Sequence, residues 1–327
     1  MTIPEARWVR KEPRRSLAPD VLERAIKRAL PRSGVIEWHP LEAGFRNSNF
    51  KVLVDSRAFV LRIYEHDASL CRKEVDLLRL VSGSVPAPEV IYVEPDGLEE
   101  LPPFAVLRFV EGISFHELRR GGDRDAIAQA AYSAGEALAA IGRFTFDRPG
   151  WLAPGPTVTK PILEGADPFP RFVDACLRSA NLSRRMAEDL RERTHWAIWT
   201  AAAELAEIAR QKQLMHGDFN KRNLLVRPIG GRWRVAAVLD WEMAVAGSPL
   251  ADIANFLRYE RESQPLAEPH FSSGYGPLPK GWRRLARLLD LTALCAILTE
   301  DELPAGLAEE VVELVRGTVH DKMAAAT

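Results

Sequence analysis

The sequence predicts an α+β protein of two lobes, a small β-rich N-terminal lobe and a larger helical C-terminal lobe. Three observations carry that prediction. Over the first 110 or so residues, short apolar runs of strand length alternate with turn residues. Beyond Glu111-Gly112 the apolar residues recur mainly at helical spacing. Within that second half, a polar loop at His216 to Asn223 lies between apolar flanks and is answered by Val238-Leu239-Asp240-Trp241-Glu242. At 327 residues the chain is long enough for one large core or two modest ones. The change of texture divides it into 1–110 and 111–327.

The elements follow in order. Val21, Leu22, Ala25, Ile26 and Leu30 place an amphipathic helix over 16–30, closed by Pro31. Strands are expected at 34–39, 50–54 and 58–64, the last two joined by a tight turn at Asp55-Ser56-Arg57. Leu70, Val75, Leu77, Leu78 and Val81 then line one side of a helix over 68–81. Two further strands, 90–93 and 104–110, flank the turn-rich 94–103. In the second half, helical periodicity is clear in 127–141 and 182–209. Short strands at 223–227 and 233–239 are joined by the turn Pro228-Ile229-Gly230-Gly231. Helices are expected at 250–259, 282–298 and 305–319, and the Pro-, Gly- and Ser-rich 265–281 reads as a surface loop.

Composition excludes several classes. The chain is 46% hydrophobic and 27% charged, with a net charge of −1 and the two signs interleaved. That balance gives neither a nucleic-acid groove nor a polybasic membrane patch, and the small basic cluster from Arg7 to Arg15 reads as a solvated tail. Cys71, Cys176 and Cys295 are far apart and odd in number, as expected of reduced, buried thiols. The N-terminus has no apolar signal core, and the most apolar long stretch, 285–298, is interrupted by Arg287 and Asp290. A cytoplasmic protein, monomer or homodimer, with a small-molecule partner and neither nucleic acid nor membrane, is the expectation.

The polar loop and the later Asp240 carry the chemistry. Asp218 and Asn223 stand five positions apart, a carboxylate and a carboxamide. Gly217 lets the backbone turn sharply before Asp218. A hydroxyl presented to Asp218 loses its proton as its oxygen bonds to phosphorus, while Asn223 and Asp240 offer hard oxygen ligands to Mg²⁺ on nucleotide phosphates. Asp240 ends an apolar run, where a carboxylate needs a compensating charge. Lys221 is a candidate contact to the transferred phosphoryl group. Upstream, Gly44, Asn47, Ser48 and Asn49 form a candidate phosphate-binding hairpin loop. Arg62 is a charge inside a strand, and Glu74 on the following helix is its natural partner.

At these residues the chain resembles the aminoglycoside phosphotransferase and choline kinase family, the small-molecule branch of the protein-kinase-like fold. The resemblance spans roughly residues 40–260 and rests on His216-Gly217-Asp218 with Asn223, on Asp240-Trp241, and on Gly247-Ser248-Pro249 through Asp252. It implies Asp218 as catalytic base, Asn223 and Asp240 as Mg²⁺ ligands, and ATP or GTP as co-substrate. It further implies that Asp252 braces the catalytic loop, that His216 is a packed structural residue, and that the nucleotide base pairs with backbone groups near Phe109 and Val110. Three departures stand out, the first being that the loop at Gly44 lacks the full glycine-rich pattern of protein kinases. Arg62 occupies the strand position of the protein-kinase Lys, keeping the charge and gaining a bidentate fork. Only about ten residues separate Asp240 from the next helix, too few for a phosphorylatable activation segment.

The expected acceptor is therefore a hydroxyl on a small molecule such as an aminoglycoside-like antibiotic, a sugar, an amino alcohol or an amino acid. Glu242, Glu260 and Glu262 are candidate acceptor contacts, suited to a cationic substrate. The competing expectation is a catalytically silent pseudokinase or nucleotide-binding module; retention of Asp218 beside Asn223 and Asp240 counts against it, because a pure binder needs no base. Metal-dependent phosphoester hydrolysis is a third option with similar carboxylates.

Overall fold

Period-two alternation builds the N-terminal sheet. A computed structural model of the chain describes residues 17–32, 34, 36–41, 47–260 and 265–320; Gly44 and Glu262 lie outside them. Helix α1 (Pro19–Ala29) precedes strands β1 (Ile36–Pro40), β2 (Ser48–Val54) and β3 (Arg57–Ile63), then helix α2 (Ala68–Val81) and strands β4 (Val90–Glu94) and β5 (Phe104–Arg108). The five strands form one antiparallel sheet in the order β1-β2-β3-β5-β4. Phe50, Val52, Phe59, Leu61, Ile63, Phe104 and Val106 are buried on one face, against Leu22, Ala25 and Ile26 of α1. By the same alternation Arg62 falls on the opposite face, between Asn49 and Ala105 on its two neighbouring strands. It therefore lies on a central strand, turned toward α2.

Local chemistry sets the connections. Val54 pairs with Arg57, so the β2–β3 turn has only Asp55 and Ser56 at its tip, with φ of 48° and 63°. Two left-handed residues match the twist of the flanking strands. Asp67 caps α2 by accepting the Ser69 N–H at 2.9 Å.

After the connector come β6 (Ile113–Ser114), α3 (Phe115–Gly121), α4 (Arg124–Ile141), β7 (Gly150–Ala153) and β8 (Thr157–Lys160). Helices α5 (Pro168–Leu177), α6 (Ala180–Arg185), α7 (Glu188–Trp199) and α8 (Ala202–Ile208) follow. Next are β9 (Gln213–Met215), β10 (Leu224–Ile229), β11 (Arg232–Val238), a 3-10 turn (Trp241–Met243) and β12 (Val245–Gly247). The chain continues through α9 (Leu250–Leu257), α10 (Glu268–Tyr275), α11 (Trp282–Thr299) and α12 (Ala305–His320). Two small sheets, ordered β11-β10-β6 and β8-β7-β12-β9, fix the functional loops. The 216–223 loop joins β9 to β10, and the 239–244 segment joins β11 to β12. Because β12 pairs with β9 and β10 pairs with β11, both ends of each loop are held beside the other.

Two expectations are corrected. The periodic stretch 182–209 contains three helices, because the chain leaves helical geometry at Met186-Ala187 and again at Ala201, with no Gly or Pro to announce either break. All three helices pack on the same core, so the apolar rhythm runs on through the breaks. The expected loop at 265–281 contains helix α10. Its Phe271 is fully buried and stacks on Phe256 with ring centroids 4.6 Å apart. Gly274 reads as loop but makes a helix contact instead. A Cβ there would lie 1.9 Å from the Tyr132 carbonyl, and one at Gly135 of α4 would lie 2.1 Å from the Phe271 carbonyl. Only two hydrogen-for-methyl positions let these helices meet so closely.

A second buried apolar cluster runs from Tyr64, Val75, Leu78, Ala105 and Leu107 into the helices of the C-terminal half. Helix α2 is thus packed between the sheet and the helical half. All three cysteines are buried, and burial pushes the Cys71 thiol up to about 12. Among the described residues no helix is long and apolar enough to cross a membrane.

Candidate active site

Asp252, on the first turn of α9, anchors the 216–223 loop. Its two carboxylate oxygens accept the N–H groups of His216 and Gly217 at 2.7 and 2.9 Å. Burial pushes its carboxyl up to about 7, against the pull of those donors and with the Asp218 charge adding to the rise. Gly217 has φ of 78°, and a Cβ there would sit 2.2 Å from the Met243 carbonyl, so the loop turns where only glycine fits. His216 is fully buried, with its ring 4.8 Å from that of Trp241. Its Nε2 lies 2.9 Å from the Leu239 carbonyl and its Nδ1 lies 3.3 Å from the Asp218 N–H. That pairing assigns the proton to Nε2. Burial lowers its pKa, keeping the ring neutral.

Asp218 projects from this frame into a ring of carboxamides. Asn220 and Asn255 donate to its Oδ1 at 2.8 and 3.2 Å, and Asn223 donates to its Oδ2 at 2.9 Å. Asn223 also donates to the Asp218 carbonyl at 3.0 Å, which directs its amide nitrogen inward. Neutral donors fix the direction of the carboxylate without adding a counter-ion.

Asp240 is held differently. Its backbone has φ 67° and ψ 67°, a left-handed conformation that costs a non-glycine residue roughly 1–2 kcal/mol. The Arg62 guanidinium, almost fully buried, pairs with Asp240, with Glu74 at 2.8 Å and with Glu242 at 3.6 Å. Burial alone would weaken that charge; the three carboxylates reverse the effect and hold the guanidinium pKa well above its ordinary value. Glu74 also accepts the Tyr64 hydroxyl at 2.6 Å and the Trp241 N–H at 3.1 Å.

Several candidates stand elsewhere than expected. Lys221 turns away from the loop's mouth: it is buried, donates to the Phe256 carbonyl and lies 4.6 Å over the Phe256 ring. Burial pushes its pKa down to about 7. Glu260 is spent inside the fold, accepting the N–H groups of Leu266 and Ala267 at 2.7 and 3.0 Å and facing Arg119 at 3.6 Å. Burial would raise its carboxyl, but Lys221 and those N–H groups outweigh it and leave it below the ordinary value. Glu242 is buried, pairs with Arg62 and accepts from Asn47 at 2.8 Å. Neither Glu242 nor Glu260 therefore offers an open carboxylate to a cationic acceptor. Asn47 and Ser48 are likewise buried, and Ser48 and Asn49 open strand β2. Past β5, the Phe109 N–H is taken by the Ala58 carbonyl at 3.2 Å. No hydrogen bond among the described residues uses the Val110 N–H.

The donor set suits magnesium. No hydrogen bond among the described residues uses the Asn223 Oδ1 or the Asp240 Oδ2, and the Asp240 side chain is 31% exposed. Two hard oxygens are too few for an all-protein cage, and Mg²⁺ is commonly held by one or two protein oxygens plus phosphates. Among the described residues no group of three or more His, Cys, Asp or Glu stands ready to hold a metal alone.

Sequence reasoning missed Asn220, Asn255, Tyr64 and Lys73. Asn220 lies inside the recognised loop and was readable there. Asn255 follows Asp252 by three residues, so helical spacing puts both on one face of α9; that signal was available once Asp252 was placed. Tyr64 and Lys73 gave no signal apart from the strand and helix that carry them.

Comparison with known proteins fits this geometry. A profile described as phosphotransferase enzyme family matches residues 37–288. Acyl-CoA dehydrogenase family member 11 of Gallus gallus is 28% identical over 249 residues, covering 71% of this chain and 30% of that protein. Member 10 of Mus musculus is 25% identical over 263 residues, covering 77% of this chain and 23% of that protein. The chain thus spans less than a third of the length of these curated relatives. Among solved structures, aminoglycoside phosphotransferase APH(4)-Ia superposes with a TM-score of 0.66 at 18% identity, covering 93% of this chain and 99% of that one. The GDP complex of aminoglycoside 2'-phosphotransferase-IIIa gives 0.68 at 18% identity, covering 92% and 98%. These two likenesses establish a protein-kinase-like α+β fold. With the profile covering most of the chain, the protein belongs to the phosphotransferase enzyme family.

Proposed function

We propose that the protein moves the γ-phosphoryl group of ATP or GTP to a hydroxyl of a small molecule, with Asp218 as general base. The observation that carries this reading is the aim of Asp218: three carboxamides fix its carboxylate beside Asn223, while Asp240 stands next to Arg62. The acceptor O–H gives its proton to Asp218 as its oxygen bonds to the γ-phosphorus. The bond from that phosphorus to the β–γ bridging oxygen breaks, and nucleoside diphosphate leaves. Asn223 and Asp240 would hold Mg²⁺, which when bound neutralises phosphate charge. Arg62, braced by Glu74, offers a guanidinium to the phosphates. The Val110 N–H, just past the Phe109 position, is the backbone donor offered to the nucleotide base. On this reading residues 1–110 form the nucleotide lobe and 111–327 carry the catalytic loop and the acceptor site.

Solved neighbours described as ADP or GDP complexes support a nucleoside triphosphate as donor, and those described with hygromycin B or kanamycin support a hydroxylated small molecule as acceptor. With Glu242 and Glu260 committed internally, these residues do not favour a cationic acceptor over a neutral or anionic one. The test is a panel of cationic, neutral and anionic alcohols with Mg-ATP and Mg-GTP, read as nucleoside diphosphate formation. Acceptor-dependent diphosphate, lost in Asp218→Ala, is the expected result. A flat signal across the panel would sink the catalytic reading and favour a silent nucleotide-binding module. Phosphate release without an acceptor, well above background, would instead indicate hydrolysis. We place the enzyme in the cytoplasm, without nucleic-acid or membrane partners.

A further inference from the structure

Lys73 lies on α2 one residue before Glu74, and the mechanism above gives it no task. It is only 5% exposed, and its Nζ donates to the main-chain carbonyl of Glu242 at 2.7 Å. Glu74 meanwhile accepts the Trp241 N–H at 3.1 Å. Neighbouring residues of one helix thus grip the 3-10 turn after Asp240, one as acceptor at its first N–H and one as donor to a carbonyl further on. A buried ammonium is expensive unless it is compensated, so a lysine at this place needs a reason. The surrounding charges supply one. Glu74, Asp240 and Glu242 bring three negative charges, and Arg62 alone brings one positive. Lys73 is the second cation of the cluster; burial lowers its pKa, and Glu242 and Glu74 act against that fall.

We propose that Lys73 is a positioning residue that holds the 240–243 turn from the opposite lobe, so that the Asp240 carboxylate stays aimed at the metal position. The inference rests on the reading of Asp240 as a metal ligand. It explains how a chain with so short a link between Asp240 and α9 keeps its metal turn in place: helix α2 does directly what an ordered activation segment does elsewhere. A second bond ties α2 to the helical half, the Gly155 N–H donating to Asp76 at 2.8 Å. That bond lies apart from the turn and provides the control.

The test reads binding rather than turnover. Affinity for a non-hydrolysable nucleoside triphosphate analogue is measured in EDTA and across a Mg²⁺ titration. The proteins compared are wild type, Lys73→Met, Lys73→Gln and Asp76→Ala. The two Lys73 variants should raise the Mg²⁺ concentration for half-maximal tightening about tenfold, a loss typical for groups that orient a metal ligand. Their affinity in EDTA should change less than twofold. Asp76→Ala should leave both unchanged even where its melting temperature falls. Gln carries no charge and reaches one atom less far than Lys, so it serves where Met prevents folding. Wild-type Mg²⁺ dependence in both Lys73 variants overturns the proposal while leaving Asp240 as ligand intact. Equal weakening with and without Mg²⁺ also overturns it, since that marks general packing between the lobes. A wild type whose nucleotide binding ignores Mg²⁺ overturns the reading of Asp240 and the role of Lys73 together.

Discussion

The two aspartates of the proposed site are held by opposite means. Asp218 is surrounded by neutral carboxamides from Asn220, Asn223 and Asn255. Asp240 is held by the Arg62 guanidinium within a cluster of three carboxylates. A group that must accept a proton is best fixed by donors that carry no full charge, because a close cation would depress its basicity. A group that works by charge tolerates a cation, since a metal and phosphates can rearrange around both. The contrast teaches that neutral hydrogen bonds set direction in the 216–223 loop, whereas charge balance sets it in the 240–243 turn.

The largest expected effect breaks the comparison at its functional end. Asp218→Ala should lower kcat by about 10³, within the range expected for a lost general base, while nucleotide affinity stays near wild type. Asp240→Asn should do the reverse, raising the Mg²⁺ requirement for nucleotide binding. Were both variants to lose nucleotide affinity alike, the division of labour would be wrong.

Next comes the charged side. Arg62→Met leaves Glu74 and Glu242 buried without their main cation, and breaking such a pair costs about 3–5 kcal/mol. Urea unfolding should show that loss at neutral pH. A loss below about 1 kcal/mol would mean that the cluster is far better hydrated than its burial indicates.

Smaller is the neutral side. Asn255→Leu removes one of three donors to Asp218 at similar volume, worth about 1 kcal/mol. A roughly fivefold fall in kcat with the nucleotide KM unchanged is expected; a changed nucleotide KM with kcat intact would assign Asn255 to packing alone.

The smallest effect concerns acid stability. The main-chain N–H of His116 on α3 donates to the Lys221 carbonyl at 3.0 Å, joining α3 to the 216–223 loop. Burial and nearby arginines push the His116 pKa down from 6.5 to about 4. A depressed folded pKa means that the stabilising contribution is fully present above pH 6.5 and is lost as pH falls through 4. His116→Gln should therefore flatten the drop in the urea midpoint between pH 6.5 and 4 relative to wild type. Parallel curves for the two proteins would remove His116 from the account.

The sequence was most legible where local chemistry and periodicity agree. Helix α2 falls at Ala68–Val81 as its apolar spacing predicts, and the β2–β3 hairpin follows from two strand runs about a short turn. It was least legible where long-range packing overrides local composition. Gly274 and Pro269 read as loop, yet they lie in α10 because Gly135 on α4 offers a matching gap. Lys221 and Glu260 read as open contacts, and neither periodicity nor neighbours reveals that the end of α9 turns both inward.

The sequence by itself determined the two-lobed α+β class, the polar 216–223 loop that carries Asp218 and Asn223, and the pairing of Arg62 with Glu74. Each depends on spacing within one element or between adjacent ones. The tertiary structure alone decided which polar groups were spent and which remained available. Glu242 turned from acceptor contact to partner of Arg62, and Lys73 turned from an unremarked helix residue to a grip on the turn after Asp240. The physical reason is that burial cost and charge balance arise only when distant segments meet, and no local pattern encodes where α2 will find the turn after Asp240.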